Sequence, residues 1–225
     1  MPETVILSLG GSLIAPGEID VLFLDNFRKT VERYVRKGHN FVIICGGGNT
    51  ARKYQEALRN LMGNDEEALD WIGIDATRLN ASLVQRMFGR HSETAIITDP
   101  TEKITSKKPV LVASGWKPGR STDYDAVLLA RQLKAGSVIN MSNVDYVYDR
   151  DPKKYNNVKK IKAMSWKAFI NIVGTEWKAG LNAPFDPIAA KEAQSSGIKA
   201  IIIGKRLNNL ENLLDGKNFN GTVIG

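Results

Sequence analysis

The stretch Phe41-Val-Ile-Ile-Cys-Gly-Gly-Gly-Asn-Thr-Ala-Arg-Lys-Tyr54 constrains the fold more than any other part of the chain. Its five consecutive apolar residues, several of them β-branched, suit a strand buried on both faces of a parallel sheet. The run stops at Gly46-Gly47-Gly48, and the helix-forming stretch that follows has Asn49 or Thr50 to cap it. Glycines permit φ > 0 in a tight turn and let backbone N–H groups approach a ligand with no Cβ in the way. Unpaired N–H groups at a helix N-terminus attract an anion, most often a phosphate. Arg52, one turn inside, adds a planar fork suited to two phosphate oxygens. A tight βα connection without a ligand is the plainer reading of the same residues. A second apolar strand, Val5-Ile-Leu-Ser-Leu9, also ends in glycines at Gly10-Gly11-Ser12. Two such turns favour an anion-binding edge, because parallel strands present their carboxyl ends to one crevice.

At 225 residues the chain suits one sizeable α/β domain. Its net charge of +7 is carried by scattered Lys and Arg, with no zinc spacing, basic helix or aromatic RNA-binding motif. A small anionic substrate is therefore expected, and no nucleic acid. Cys45 is the only cysteine, which excludes an intrachain disulfide and suits a reducing compartment; a buried, inert thiol is expected. No apolar run approaches the roughly 20 residues that span a membrane, and Met1-Pro-Glu-Thr lacks a basic leader. A cytoplasmic protein without a membrane partner follows.

Helical spacing runs over Ile19 to Lys37, Thr50 to Met62 and Glu66 to Gly89, with Gly63-Asn64-Asp65 between the last two. The longest of these is apolar on more than one face, which calls for a second subunit or burial within the same lobe. Asp70, Gly73 and Asn80 form a polar stripe along it, facing either solvent or the pocket of Arg52. Thr94 to Thr98 and Val110 to Ala113 read as strands, and Gly115 to Gly119 as a turn. Ser121-Thr-Asp-Tyr-Asp125 opens a helix with more hydroxyls and carboxylates than capping requires. Ser137 to Met141 is a further strand, followed by an irregular loop from Ser142 to Pro152. Thr175 to Pro184 reads as a flexible loop able to close over a ligand, and Asp186-Pro187 as a helix start. Helices and strands alternate throughout, the pattern of a mainly parallel sheet covered on both faces.

Seven segments, in order, resemble the motifs of the amino acid kinase family, most closely its archaeal-type uridylate (UMP) kinases. They are Leu9-Gly-Gly-Ser12, Gly46 to Tyr54, Gly73-Ile-Asp-Ala-Thr-Arg-Leu-Asn-Ala81, Pro118-Gly-Arg-Ser-Thr-Asp123, Asn143 to Pro152, Asp186-Pro-Ile-Ala-Ala-Lys191 and Gly221-Thr-Val-Ile224. The resemblance implies an α/β fold, a three-layer αβα sandwich, with residues 1–112 binding UMP and residues 113–225 binding ATP. By the same resemblance Gly46, Gly47 and Arg52 hold the acceptor phosphate, Asp70 the ribose, and Thr122 with Asp123 lie near the uracil and phosphates. Gly10, Gly11 and Ser12 line the transferring phosphoryl group, with Gly48 on the same ATP side. Asn143, Tyr148 and Asp151 surround the ATP nucleoside, and Lys153 lies nearby. Ser12, Arg120 and Asp123 are the catalytic candidates. Mg²⁺ would enter with ATP, held largely by phosphates, so no protein ligand is assigned. A hexamer built from dimers is also implied.

Three positions depart from that pattern: Ser8 stands where many members carry lysine, Tyr146 replaces a glycine, and Ser114 precedes Gly115 where a second glycine is common. Arg120 is the candidate for the charge missing at Ser8. A related kinase acting on a carboxylate or carbamate such as acetylglutamate, and a non-catalytic nucleotide- or oxyanion-binding protein, remain alternatives; Arg52 and Asp70 favour a nucleotide acceptor.

Overall fold

The computed structural model describes residues 4–150, 155, 157–175 and 183–225. Strand β1 (Thr4–Leu9) shows why the chain forms three layers. Val5, Leu7 and Leu9 point into one apolar cluster, while Ile6 points into another on the opposite face. Strand β2 (Asn40–Cys45) repeats the split, with Phe41, Ile43 and Cys45 on the first side and Val42 and Ile44 on the second. A strand with apolar groups on both faces is stable only between two helical layers. Helix α2 (Val21–Arg36) lies on the first side, buried through Leu24, Phe27 and Val31. Each such side chain contributes roughly 1.5–3 kcal/mol when fully removed from water. Burial pushes the Cys45 thiol up, as expected of an inert cysteine.

A short helix α1 (Gly11–Ile14) follows β1, and α3 (Gly48–Met62) and α4 (Glu66–Met87) follow β2. The chain continues through β3 (Val110–Ala113), α5 (Thr122–Gln132) and β4 (Ser137–Met141). Beyond β4 come β5 (Val147–Tyr148), β6 (Lys160–Ile161), β7 (Ala163–Met164) and α6 (Trp166–Val173). Helix α7 (Pro187–Ser195), β8 (Lys199–Ile203), α8 (Leu207–Leu214) and β9 (Thr222–Ile224) complete it. The main sheet has the order β3-β2-β1-β4-β8-β9-β7, and only the β8–β9 pair is antiparallel. The carboxyl ends of β3, β2, β1, β4 and β8 therefore share one edge.

Two expectations are corrected. Thr94 to Thr98 is no strand: contact with β3 is reduced to single bridges at Ser92 and Ile97. Between them the Glu93 carboxylate accepts from Thr94 N at 2.8 Å and Ser106 Oγ at 2.7 Å, so a side chain takes the place of a ladder. The loop after β4 contains β5, paired antiparallel with β6. Thr222 holds that pair, accepting from Val147 N at 2.8 Å and donating to Ile161 O at 2.5 Å. Tyr146 is buried beside it, its hydroxyl donating to Asn220 Oδ1 at 2.9 Å. No helix among the described residues is long and apolar enough to cross a membrane.

Because β1 and β2 pair in parallel up to Leu9 and Cys45, their glycine turns leave the sheet side by side. A Cβ on Gly11 would overlap Gly48 N and Gly46 O, and one on Gly46 would come within 2.8 Å of Gly11 N. Gly11→Ala should force these turns apart and lower stability by about 1–3 kcal/mol. Urea unfolding checks this; unchanged stability would show that the turns do not touch.

Candidate active site

Helix α3 begins two residues earlier than the expected start at Thr50. Gly47 is the N-cap and Gly48, at φ +61°, is the first helical residue, so neither Asn49 nor Thr50 caps it. Among the described residues no side-chain cap bond is made at this N-terminus, which suits its first-turn amides to an anion. Asn80 of α4 fixes the turn from behind, Nδ2 donating to Gly46 O at 2.8 Å and to Gly47 O at 3.2 Å. Asn80 is 2% exposed, so the polar stripe on α4 faces inward and not solvent.

A cleft of about 220 Å³ opens over these amides. Gly47, Gly48 and Arg52 line it from α3, Asp70 from α4, and Arg120, Thr122 and Asp123 from the start of α5. Gly46, Gly10, Gly11 and Ser12 are not in its wall; Gly11 adjoins it through the backbone contact with Gly46 and Gly48. Gly10 N donates to Met141 O at 2.8 Å, which ties the first turn to the end of β4. Asn143 is exposed and Tyr148 half-buried just beyond that end. Asp151 and Lys153, and residues 176–182 of the expected closing loop, lie outside the described residues.

The loop after β3 is drawn across the cleft by two long-range bonds. Gly115 N donates to Thr77 Oγ1 at 2.8 Å, and Gly119 N to Asp70 Oδ2 at 2.7 Å. Arg120 follows, its Nη1 donating to Gly119 O at 2.8 Å and its guanidinium 4.9 Å from the Tyr124 ring centre. Cleft residues missed in the sequence are Gln55, Ile74, Thr77, Ala183 and Asp186. Gln55 had a signal, lying three residues after Arg52 on one helical face; Asp186 read only as a cap.

Three carboxylates gather behind the cleft. Asp123 accepts from Ser8 Oγ at 3.1 Å, Asn140 Nδ2 at 2.9 Å and Asp186 N at 3.1 Å. Period-2 alternation along β1 aims Ser8 at α5, away from the Leu7 side. Burial, and then the charge of Asp186, push Asp123 up to about 7. Asp186 caps α7, Oδ1 accepting from Ala189 N at 2.6 Å; its buried Oδ2 has no hydrogen bond, and burial raises its pKa. Asp125 is 1% exposed, with Oδ2 accepting from Trp116 N at 3.1 Å and Oδ1 unpartnered. Burial pushes it up to about 8. Among the described residues no group of three or more His, Cys, Asp or Glu is arranged to hold a metal.

The Asp125 carboxyl stays protonated in the fold while its unfolded counterpart ionises near pH 4. The unfolded state then binds fewer protons, so stability falls as pH rises from about 4 to about 8. Asp125→Asn, which keeps an oxygen for Trp116 N, should lessen the loss between pH 5 and pH 8 by more than about 1 kcal/mol. Urea unfolding at both pH values measures it; parallel slopes would contradict it.

Comparison with known proteins places this geometry. The model of the amino acid kinase family matches residues 3–204. A uridylate kinase of Thermoplasma volcanium is 37% identical over 221 residues, covering 96% of this chain and 95% of that one. One from Pyrococcus abyssi is 36% identical over 223 residues, covering 97% and 98%. The crystal structure of uridylate kinase from Archaeoglobus fulgidus superposes with a TM-score of 0.81 at 35% identity, covering 99% of this chain and all of that one. With its parallel three-layer sheet and paired glycine turns, the chain belongs to the amino acid kinase family.

Proposed function

We propose that this chain transfers the terminal phosphoryl group of ATP to UMP, yielding UDP and ADP. The observation that carries this is the backbone contact of the Gly10-Gly11 and Gly46–Gly48 turns, which sets two phosphate cradles edge to edge. The relatives named uridylate kinase, similar over nearly their whole length, support the nucleotide acceptor. Phosphoryl transfer asks little covalent chemistry of a protein; alignment and neutralised charge supply most of the rate. Gly46, Gly47 and Arg52 hold the acceptor phosphate, Asp70 the ribose, and Thr122 with Asp123 the side facing the base and phosphates. Gly10, Gly11, Ser12 and Gly48 take the transferring group, and Asn143 and Tyr148, with Asp151 and Lys153, the ATP nucleoside. Arg120 supplies the cation that Ser8 does not.

Magnesium fits this site through few protein groups. Asp186 Oδ2, buried and unpartnered beside Asp123, is a hard oxygen donor of the kind the ion takes, and nucleotide phosphates would furnish most other positions. When bound, Mg²⁺ neutralises charge on the phosphates. Leu61, Met62 and Leu79 are 82%, 77% and 65% exposed on α3 and α4, which supports a homo-oligomer, read as a hexamer built as a trimer of dimers in the cytoplasm. A monomeric mass by light scattering would remove that part.

A coupled assay of ADP release tests the reaction, with UMP expected to exceed CMP, dUMP and acetylglutamate. ATP binding without turnover of any acceptor would favour a silent nucleotide-binding protein. Arg120→Ala should lower kcat more than it raises the KM for UMP; equal effects would deny it the catalytic role.

A further inference from the structure

The cleft holds two acceptor oxygens with no hydrogen bond among the described residues. Gln55 lies on α3 one turn beyond Arg52 and is 9% exposed, its Nε2 donating to Leu69 O at 2.9 Å. A Cβ on Gly73 would come within 2.7 Å of that nitrogen, so α4 lies directly against the amide, and glycine is what lets it. One Nε2–H is committed to a helix carbonyl, and Oε1 is the acceptor that Gln55 keeps at the cleft it lines. Asp70, on the same turn of α4, has Oδ2 committed to Gly119 N and Oδ1 in reserve. The adjacent Thr77 hydroxyl is spent twice, donating to Ile74 O at 2.6 Å and accepting from Gly115 N. The donors sit at the α3 end, as the first-turn amides and Arg52, and at the start of α5, as Arg120 and Thr122.

A ligand matching this polarity carries an anion at the α3 end and hydroxyl donors facing Gln55 and Asp70. Uracil offers a single donor, N3–H, flanked by the acceptors O2 and O4 that would oppose Oε1 and Oδ1, whereas two vicinal ribose hydroxyls can donate one bond to each. We propose that Gln55 Oε1 and Asp70 Oδ1 together take the vicinal hydroxyls of the acceptor ribose, which makes Gln55 a residue that separates ribonucleotides from deoxyribonucleotides. This rests on the UMP reading of the cleft. A site built to bond a hydroxyl rejects the analogue lacking it, because its own buried acceptor is then left unpaired. A side chain that merely stitches α3 to α4 would show no such discrimination.

The test is kcat/KM for UMP, 2′-deoxy-UMP and 3′-deoxy-UMP in the wild type and in Gln55→Met, with thermal melts to confirm folding. Gln55→Met should lose about 10-fold or more with UMP and less than about 3-fold with one deoxy analogue, from which the hydroxyl it served is already gone. Equal losses with all three substrates would overturn the proposal while leaving the UMP site intact. If Gln55→Met does not fold, the wild-type ratio decides: discrimination below about 5-fold against both analogues overturns the proposal. A wild type that phosphorylates no nucleoside monophosphate would overturn the UMP reading and this inference together.

Discussion

Peptide backbone lies against peptide backbone where β1 and β2 end, and the rest of the site depends on that contact. Parallel pairing puts Leu9 opposite Cys45, so the two turns leave the sheet at one level and no side chain can stand between Gly11 and Gly46–Gly48. Peptide N–H groups are the donors that phosphates seek, and glycine is the residue that brings two sets of them this close. Asn80 binds the carbonyls on the far side, which frees the amides of α3 for the cleft. The apolar strands behind, buried on both faces, keep the arrangement from spreading.

The same alternation that builds the core decides what lies around the transfer point. Leu7 and Leu9 belong to one helical layer, so Ser8 must face the other, where its hydroxyl meets Asp123. With serine in place of lysine, Asp123 and Asp186 adjoin without a cation of their own on β1, and their buried carboxyls are pushed toward the neutral form. Such groups are costly to bury and cluster where function needs them. Arg120, drawn over the Tyr124 ring at the start of α5, is the cation at hand.

Much of this was legible in the residues because the signals are local. Apolar runs marked β1, β2, β3 and β4, glycines marked the turns that end β1 and β2, and Ser121 and Asp186 announced the helices they cap. The two-residue strands β5, β6 and β7 are too short to show alternation; the first two are held by Thr222 from a distant segment, and β7 by pairing with β9. Glu93 breaks the expected strand at Thr94 to Thr98 by a side-chain bond that no periodicity encodes. Within the site, Arg52 and Asp70 are matched to roles, whereas Gln55 and Thr77 are not, although Gln55 shares a helical face with Arg52 and Thr77 lies in the Gly73 to Ala81 segment. Their orientation follows from how α3 packs on α4, and from bonds such as Asp70 to Gly119, 49 residues apart in the chain.

The most direct test of the central claim is a crystal structure with UMP and a non-hydrolysable ATP analogue bound together. The account predicts the UMP phosphate on the α3 amides with Arg52, and the terminal phosphoryl group over Gly10-Gly11 within about 3–3.5 Å of an acceptor oxygen. Phosphates bound on opposite sides of the sheet edge, with Gly11 and Gly48 separated, would contradict it.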